Sequence, residues 1–358
     1  MKRLVFSALV CLFFTGCYYK TDSPRGSWAR GCDLSWLSEM EQDGVKFYNG
    51  ENGEDCIRLL REEGMNAVRL RVWVNHATGW SNKDDMLALA KRAAKAGQRI
   101  MIDIHYSDFF ADPNHQTPPA AWRNYDYDML LKAVQEHTLD VLYTLKEEGI
   151  KPEWVQIGNE TPNGMLWPIA KLNEEATSPE AWERYAGLTT MGYNAAKEAF
   201  SDIIVIVHID NAYEDNAWWF SQVKAAGAVF DAIALSHYPQ TVNSMTAAQC
   251  NQKALANIRS LHASFGVPVI VSEVGVKPAQ SDAASVLKSF VDELKKTDGC
   301  GGVFYWEPEV YGGWKPEIYG LPDEIYRYTG KRESWGAYNQ GAFSSDGRAS
   351  SIMDAFKD

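Results

Sequence analysis

Glu160 ends the segment VQIGNE and Glu273 follows VIVS, each directly behind a run of apolar residues. A carboxyl group at the end of a buried run sits where core meets solvent, and there its protonation is set by its neighbours rather than by water. Two such groups facing one another can divide labour. One keeps a proton to give to a leaving oxygen, while the other stays ionised to attack or steady a sugar cation, and that pairing is what cleavage of a glycosidic bond requires. Polar and aromatic residues fall at the ends of other apolar runs: Asp33, Arg69 and Arg71, His105-Tyr106, Asn159, His208 with Asp210-Asn211, His237-Tyr238, and Trp306-Glu307. A single residue so placed would mean a salt bridge or a helix cap. A ring of them implies a site.

The runs that must carry these residues are 30–36, 67–73, 99–104, 153–157, 203–208, 231–236, 267–272 and 301–306. They are continuously apolar rather than alternating, which suits strands covered on both faces. Helical patterns separate many of them, at 84–97, 128–149 and 180–200 for example. Eight strands with intervening helices are the count of a single (β/α)₈ barrel, whose active site is built at the C-terminal strand ends. An open doubly wound sheet is the alternative, but no glycine-rich phosphate loop accompanies it. In a barrel the fourth and seventh strands bring Glu160 and Glu273 to one mouth. Arg69 and Arg71 share a face of the second strand and are expected to hold Glu273 ionised, with Glu160 kept protonated near aromatic walls.

Composition narrows the partners. A net charge of −12 over 358 residues argues against nucleic acid and anionic membrane surfaces, whereas 13 Trp and 17 Tyr supply rings that can stack on sugars. Met1 to Gly16 reads as a signal peptide, with a basic start, an apolar stretch to Phe14 too short to span a bilayer, and a small pair before Cys17. That layout resembles a lipoprotein cleavage box, so Cys17 is expected to carry lipid, residues 17–28 to act as a tether, and 29–358 to form the catalytic domain. The chain is then exported and lipid-anchored in the envelope, at the outer membrane or cell surface, touching membrane only through the anchor and acting as a monomer. Cys32, Cys56, Cys250 and Cys300 have no zinc-ligand spacing; disulfides and free thiols both remain open.

The segments GCDLSWL, RLRVWV, DIHYSDFFADPNHQTPPAAW, VQIGNE, HIDNA, SHYP, VSEVG and FYWEP, in this order and continuing through NQGAF, resemble glycoside hydrolase family 53. The resemblance covers most of residues 29 to 343. It implies a retaining endo-β-1,4-galactanase acting on the galactan of type I arabinogalactan and pectin, with Glu160 as acid/base and Glu273 as nucleophile. It further implies that Asn159 bonds the sugar 2-hydroxyl, that Tyr238 or His237 orients Glu273, and that Arg69, His105 and Trp306 complete the −1 subsite. Phe110 stands where members of the family often carry Trp. No cofactor is required; a structural calcium ion stays open, with Glu307, Glu309, Asp323, Glu324 and Asn339 as candidate ligands that lack a recognisable spacing. Asp33, Asp108, Asp112, Asp210 and Asn211 are candidates for reaching the axial 4-hydroxyl of galactose, and Phe109, Phe110, Trp122 and Trp306 for walls. Trp218-Trp219-Phe220 is expected in the core. The rival readings are another retaining β-glycanase, such as a mannanase or cellulase, and a carbohydrate-binding surface lipoprotein without activity.

Overall fold

A computed structural model describes residues 18–172, 178–316 and 340–357. Eight parallel strands close into a barrel: β1 (Ala29–Asp33), β2 (Ala67–Val72), β3 (Arg99–Ile104), β4 (Trp154–Ile157), β5 (Ile204–Ile209), β6 (Ala232–His237), β7 (Val269–Val274) and β8 (Cys300–Tyr305). β1 pairs with both β2 and β8, which completes the ring. Each apolar run expected to be a strand is one, to within a few residues at its ends. Around the ring lie α1 (Leu37–Gln42), α2 (Cys56–Glu62), α3 (Lys83–Lys95), α4 (Tyr127–Glu147), α5 (Pro179–Ala199), α6 (Ala217–Ala225), α7 (Ala247–Phe265) and α8 (Ala283–Leu294). Their starts follow local chemistry: Asn82, Asp126, Ser178 and Thr246 each accept a first-turn N–H, and Thr246 with Gln249 forms a reciprocal cap.

The floor of the barrel is filled from every strand by Ala29, Ala67, Met101, Trp154, Ile206, Ala232, Ala234, Ile270 and Phe304. Trp154 and Phe304 meet edge to face at 5.9 Å. Gly31 makes room for this plug, because a Cβ there would fall 2.1 Å from the Phe304 ring. A second, larger core lies between strands and helices. Cys32, Cys56, Cys250 and Cys300 are free thiols.

Residues 18–28 do not hang free. Tyr19 N–H donates to Gly149 O, Asp22 N–H to Gly97 O and Gly26 N–H to Glu153, while Arg25 donates to the carbonyl of Pro152. All four partners precede β3 or β4, so the segment runs across the N-terminal face of the barrel. Residues 1–17, with the expected leader and Cys17, lie outside the described residues, as do Asp323, Glu324 and Asn339.

Candidate active site

At the opposite face, backbone strain and register aim the two glutamates. β4 ends at Ile157, and the chain turns through Gly158 at φ 86° and Glu160 at φ 42°. A left-handed glutamate is costly and persists only where its surroundings fix it. Tyr106, Asn211 and Glu307, just beyond β3, β5 and β8, are left-handed too. Glu273 is aimed differently. Ile270 points into the barrel, so alternation would send Ser272 inward after it. The β6–β7 register instead skips Ser272, pairing Leu235 with Val271 and Ser236 with Glu273, and this one-residue irregularity swings Glu273 to the interior.

Arg69 is the hub. It is fully buried, donates to Asp33 Oδ2 at 2.9 Å, Gln156 Oε1 at 2.9 Å and Asn159 Oδ1 at 2.7 Å, and ion-pairs with Asp103 at 2.8 Å and Glu273 Oε1 at 3.0 Å. Burial would lower its pKa, but Asp103, Glu273 and Asp33 hold it above the ordinary value, so it stays charged. The Tyr238 hydroxyl donates to Glu273 Oε2 at 2.7 Å. Burial pushes the Glu273 carboxyl up to about 7 even against Arg69 and this hydrogen bond.

Glu160 has no cation of its own. Burial, then the charges of Glu273 and Asp210, push its carboxyl well above the usual range, with a hydrogen bond from Ser236 as the counterweight. Ser236 is itself held by His208, whose Nε2 lies 2.9 Å from its hydroxyl. His208 Nδ1 accepts from the Gln156 amide at 2.9 Å, so the ring proton sits on Nε2 and points at Ser236. Burial and Arg69 keep this imidazole neutral. Glu160, Glu273 and His208 each offer an atom within 4.8 Å of the others. Both His208 nitrogens are taken by protein partners. One oxygen of each carboxyl group thus lies nearer the other than the roughly 6.5–9.5 Å that separates the carboxyls of inverting sites.

Several expected residues gather here and others do not. His105 donates Nε2–H to Asp103 at 2.8 Å and accepts Ala111 N–H on Nδ1 at 3.0 Å, so it braces the site. Asn159 accepts from Arg69 and donates to Ala111 O at 2.8 Å, keeping one amide hydrogen for a ligand. Trp306 lies over Arg69, 5.5 Å from its guanidinium carbon. Asp210 and Asn211 remain partly open at the mouth. Asp33 is wholly buried between Arg69 and Ser35 and cannot reach a sugar.

Arg71 does not support Glu273. It pairs with Glu307 at 3.1 Å and lies 4.2 Å and 4.5 Å from the rings of Trp36 and Phe110, partners that come from the loops after β8, β1 and β3. His237 points away from the site, bonding Asn251 at 2.8 Å and packing on Phe290; of the two, it is Tyr238 that bonds Glu273. Asp108 is a loop clamp, accepting from Asn75 and Ala120 N–H. Asp112 pairs with His115 at 2.8 Å. Trp122 lies off the mouth, edge-on to His137 at 6.0 Å. Of the aromatic triplet on α6 only Phe220 is core; Trp218 is 64% exposed beside Trp182.

Asp103, Gln156 and Ser236 escaped the sequence reading. Each is a polar residue in a mostly apolar strand, where burial demands a partner. Of the calcium candidates, only Glu307 and Glu309 fall among the described residues. Glu307 is engaged by Arg71, Glu309 accepts Trp36 N–H at 3.3 Å, and Glu160, His208 and Glu273 form the one cluster of metal-type donors among the described residues.

A family model for glycosyl hydrolase family 53 matches residues 29–287. An uncharacterized protein of Niallia circulans, from the 5′ region of bgaB, is 40% identical over 249 residues, covering 68% of this chain and 66% of that one. A probable arabinogalactan endo-β-1,4-galactanase A of Neosartorya fischeri is 32% identical over 311 residues, or 78% of this chain and 83% of the relative. Among solved structures, the GH53 catalytic domain of Ignisphaera aggregans superposes with a TM-score of 0.76 at 26% identity, across 94% of this chain and 97% of that domain.

Proposed function

The chain belongs to glycosyl hydrolase family 53, and from that premise we propose that it is an endo-β-1,4-galactanase working by double displacement, with Glu273 as nucleophile and Glu160 as acid/base. The observation that carries the mechanism is the approach of the two carboxyl groups, an oxygen of each within 4.8 Å of the other. That spacing suits direct attack by one carboxylate, for which about 5–5.5 Å is typical. Their surroundings support the division of roles. Glu273 has a guanidinium and a phenol to stabilise its ionised form, so of the pair it loses its proton first. Glu160 has only Ser236 and like charges, so it keeps its proton.

In the first step Glu273 attacks the anomeric carbon while Glu160 protonates the departing oxygen. In the second, Glu160 takes a proton from water, which releases the sugar from Glu273. Arg69 and Tyr238 fix one nucleophile oxygen each, so the attacking lone pair is aligned before substrate arrives. The reaction uses no cofactor. The galactanase reading over mannanase or cellulase rests on the relatives and on the polar pair Asp210-Asn211 at the mouth. A site that hydrogen-bonds the axial 4-hydroxyl discriminates by about 10⁴-fold against a sugar that cannot make that bond. Reducing-sugar release from linear galactan, mannan and glucan tests this. Specificity constants within tenfold of one another would leave only a general β-glycanase.

Location is part of the same proposal. The basic start, apolar stretch and Thr15-Gly16-Cys17 support a lipid-anchored envelope enzyme, active as a monomer, that degrades galactan side chains of pectin. Cys17→Ser should move the protein from membrane to soluble fractions; retention in the membrane would refute the anchor.

A further inference from the structure

Beside the catalytic mouth the loops after β2 and β3 enclose a second cavity of about 280 Å³. Phe110 divides it from the site already described. One side of this ring meets Trp306 at 6.3 Å and the Arg71 guanidinium at 4.5 Å, and the ring also lines the cavity. Phe109 and the stacked imidazole of His76, 5.6 Å apart at 27°, form an apolar floor. Asn75, Asp108, His115 and Arg123 line the polar part.

The walls are built before anything binds. Val74 N–H donates to Ser107 O at 2.8 Å, and the Asp108 carboxylate accepts from Asn75 N–H at 3.0 Å and Ala120 N–H at 2.8 Å, which fastens the two loops together. His115 is fixed by Asp112. A preformed pocket loses little ordering entropy on binding.

Resting on the galactanase reading, we propose that this cavity receives one neutral sugar residue carried as a side substituent on the galactan chain, an arabinosyl or galactosyl group, while the backbone passes over Trp306. Three observations converge on that occupant. The volume is just below the roughly 300–1,000 Å³ of pockets for drug-sized ligands, which suits one ring. Aromatic faces under a rim of mixed charge fit an uncharged polyol, with C–H groups on the rings and hydroxyls at the edge. Finally, Phe110 stands between the cavity and Trp306, so a sugar reaching the floor has left the line of the main chain. The pocket binds only. Its single carboxylate is occupied by two backbone donors, and no second one faces it.

The test compares arabinose-substituted galactan with the same polymer trimmed to a linear chain by an arabinofuranosidase. For each protein the readout is the ratio of kcat/KM on the branched to that on the linear polymer, so differences in folded fraction cancel. Ala77→Phe and Ala120→Trp place bulk in the cavity from exposed positions. Each should lower the ratio about tenfold and remove substituted oligosaccharides from the products. An unchanged ratio in both variants overturns the proposal. So does a loss that grows with the length of linear galactan, which would assign the cavity to the main chain. Failure of the unaltered protein to cut linear galactan refutes the galactanase reading itself.

Discussion

Tyr238→Phe removes one hydrogen bond and leaves the ring, so it isolates what that bond does for Glu273. The bond is 2.7 Å long and its acceptor is a buried carboxylate. Burial with Glu273 and Glu160 nearby raises the phenol far above its ordinary pKa, so it is a donor at every working pH. A hydrogen bond to a charged group contributes about 1.5–3 kcal/mol, and one pKa unit corresponds to about 1.4 kcal/mol. The variant should therefore raise the first ionisation of the carboxyl pair by about one to two units from its position near 7. The sign follows from the donor favouring the ionised form. In the profile of kcat/KM against pH the acidic limb moves upward. Activity at pH 6 falls about ten- to a hundredfold, and above the new limb most of it returns. The profile belongs to the pair rather than to either residue, so the assay should be run on galactan and on an activated aryl galactoside. Circular dichroism would confirm the fold. An acidic limb that stays in place, or a uniform loss at all pH values, would refute the reasoning.

Ser236→Ala should move the opposite limb. It removes the donor that lowers the Glu160 carboxyl, so the alkaline limb should rise by about one unit while the acidic limb stays; a downward shift would contradict the assignment. Glu160→Ala should cut galactan turnover by about 10²–10⁴-fold yet spare formation of the glycosyl-enzyme from a dinitrophenyl galactoside, seen as a burst. Glu273→Ala should abolish both, and equal losses on both substrates for Glu160→Ala would reverse the roles. Glu309 gives a test on stability. Burial, then Glu307 and Asp33, raise its carboxyl well above the usual value. A carboxyl raised in the fold contributes stability below its unfolded pKa, about 4.3, and loses it as pH climbs through the folded value. Glu309→Gln should therefore match the parent in Tm at pH 4 and exceed it increasingly toward pH 8.5, and a gap that does not widen with pH would be wrong for this account.

The strands and the ring of strand-end residues were legible because burial on both faces writes itself into sequence as continuous apolar runs. What those residues bond to was not. Arg69 and Arg71 are equivalent by pattern, two apart on one face, yet one meets Asp33, Asp103 and Glu273 while the other meets Glu307. The difference is made by neighbouring strands, and no spacing within β2 records it. The register skip at Ser272 is likewise a property of a pair of strands. Glu160 at positive φ could not be read from its identity, since glutamate does not favour that region. Trp218 misled because apolar character was taken as burial, and a helix start at the rim of a mouth need not be covered.

The path of residues 18–28 across the barrel floor sets how the enzyme would stand on a bilayer. With Cys17 acylated, the lipid-bearing residue would directly precede Tyr18, whose ring is docked against Phe200 before β5. The lipid of the proposed anchor would then emerge beneath the floor, and the barrel would stand upright with its mouth turned outward. An anchor this short gives little lateral reach, so a long polymer must come to the enzyme. It could do so freely, because the mouth would open toward bulk solvent and not toward the headgroups. On the proposed anchor a cut chain end would drift away from the membrane, and anything that captures the fragments would have to take them from solution or stand as tall as the barrel itself.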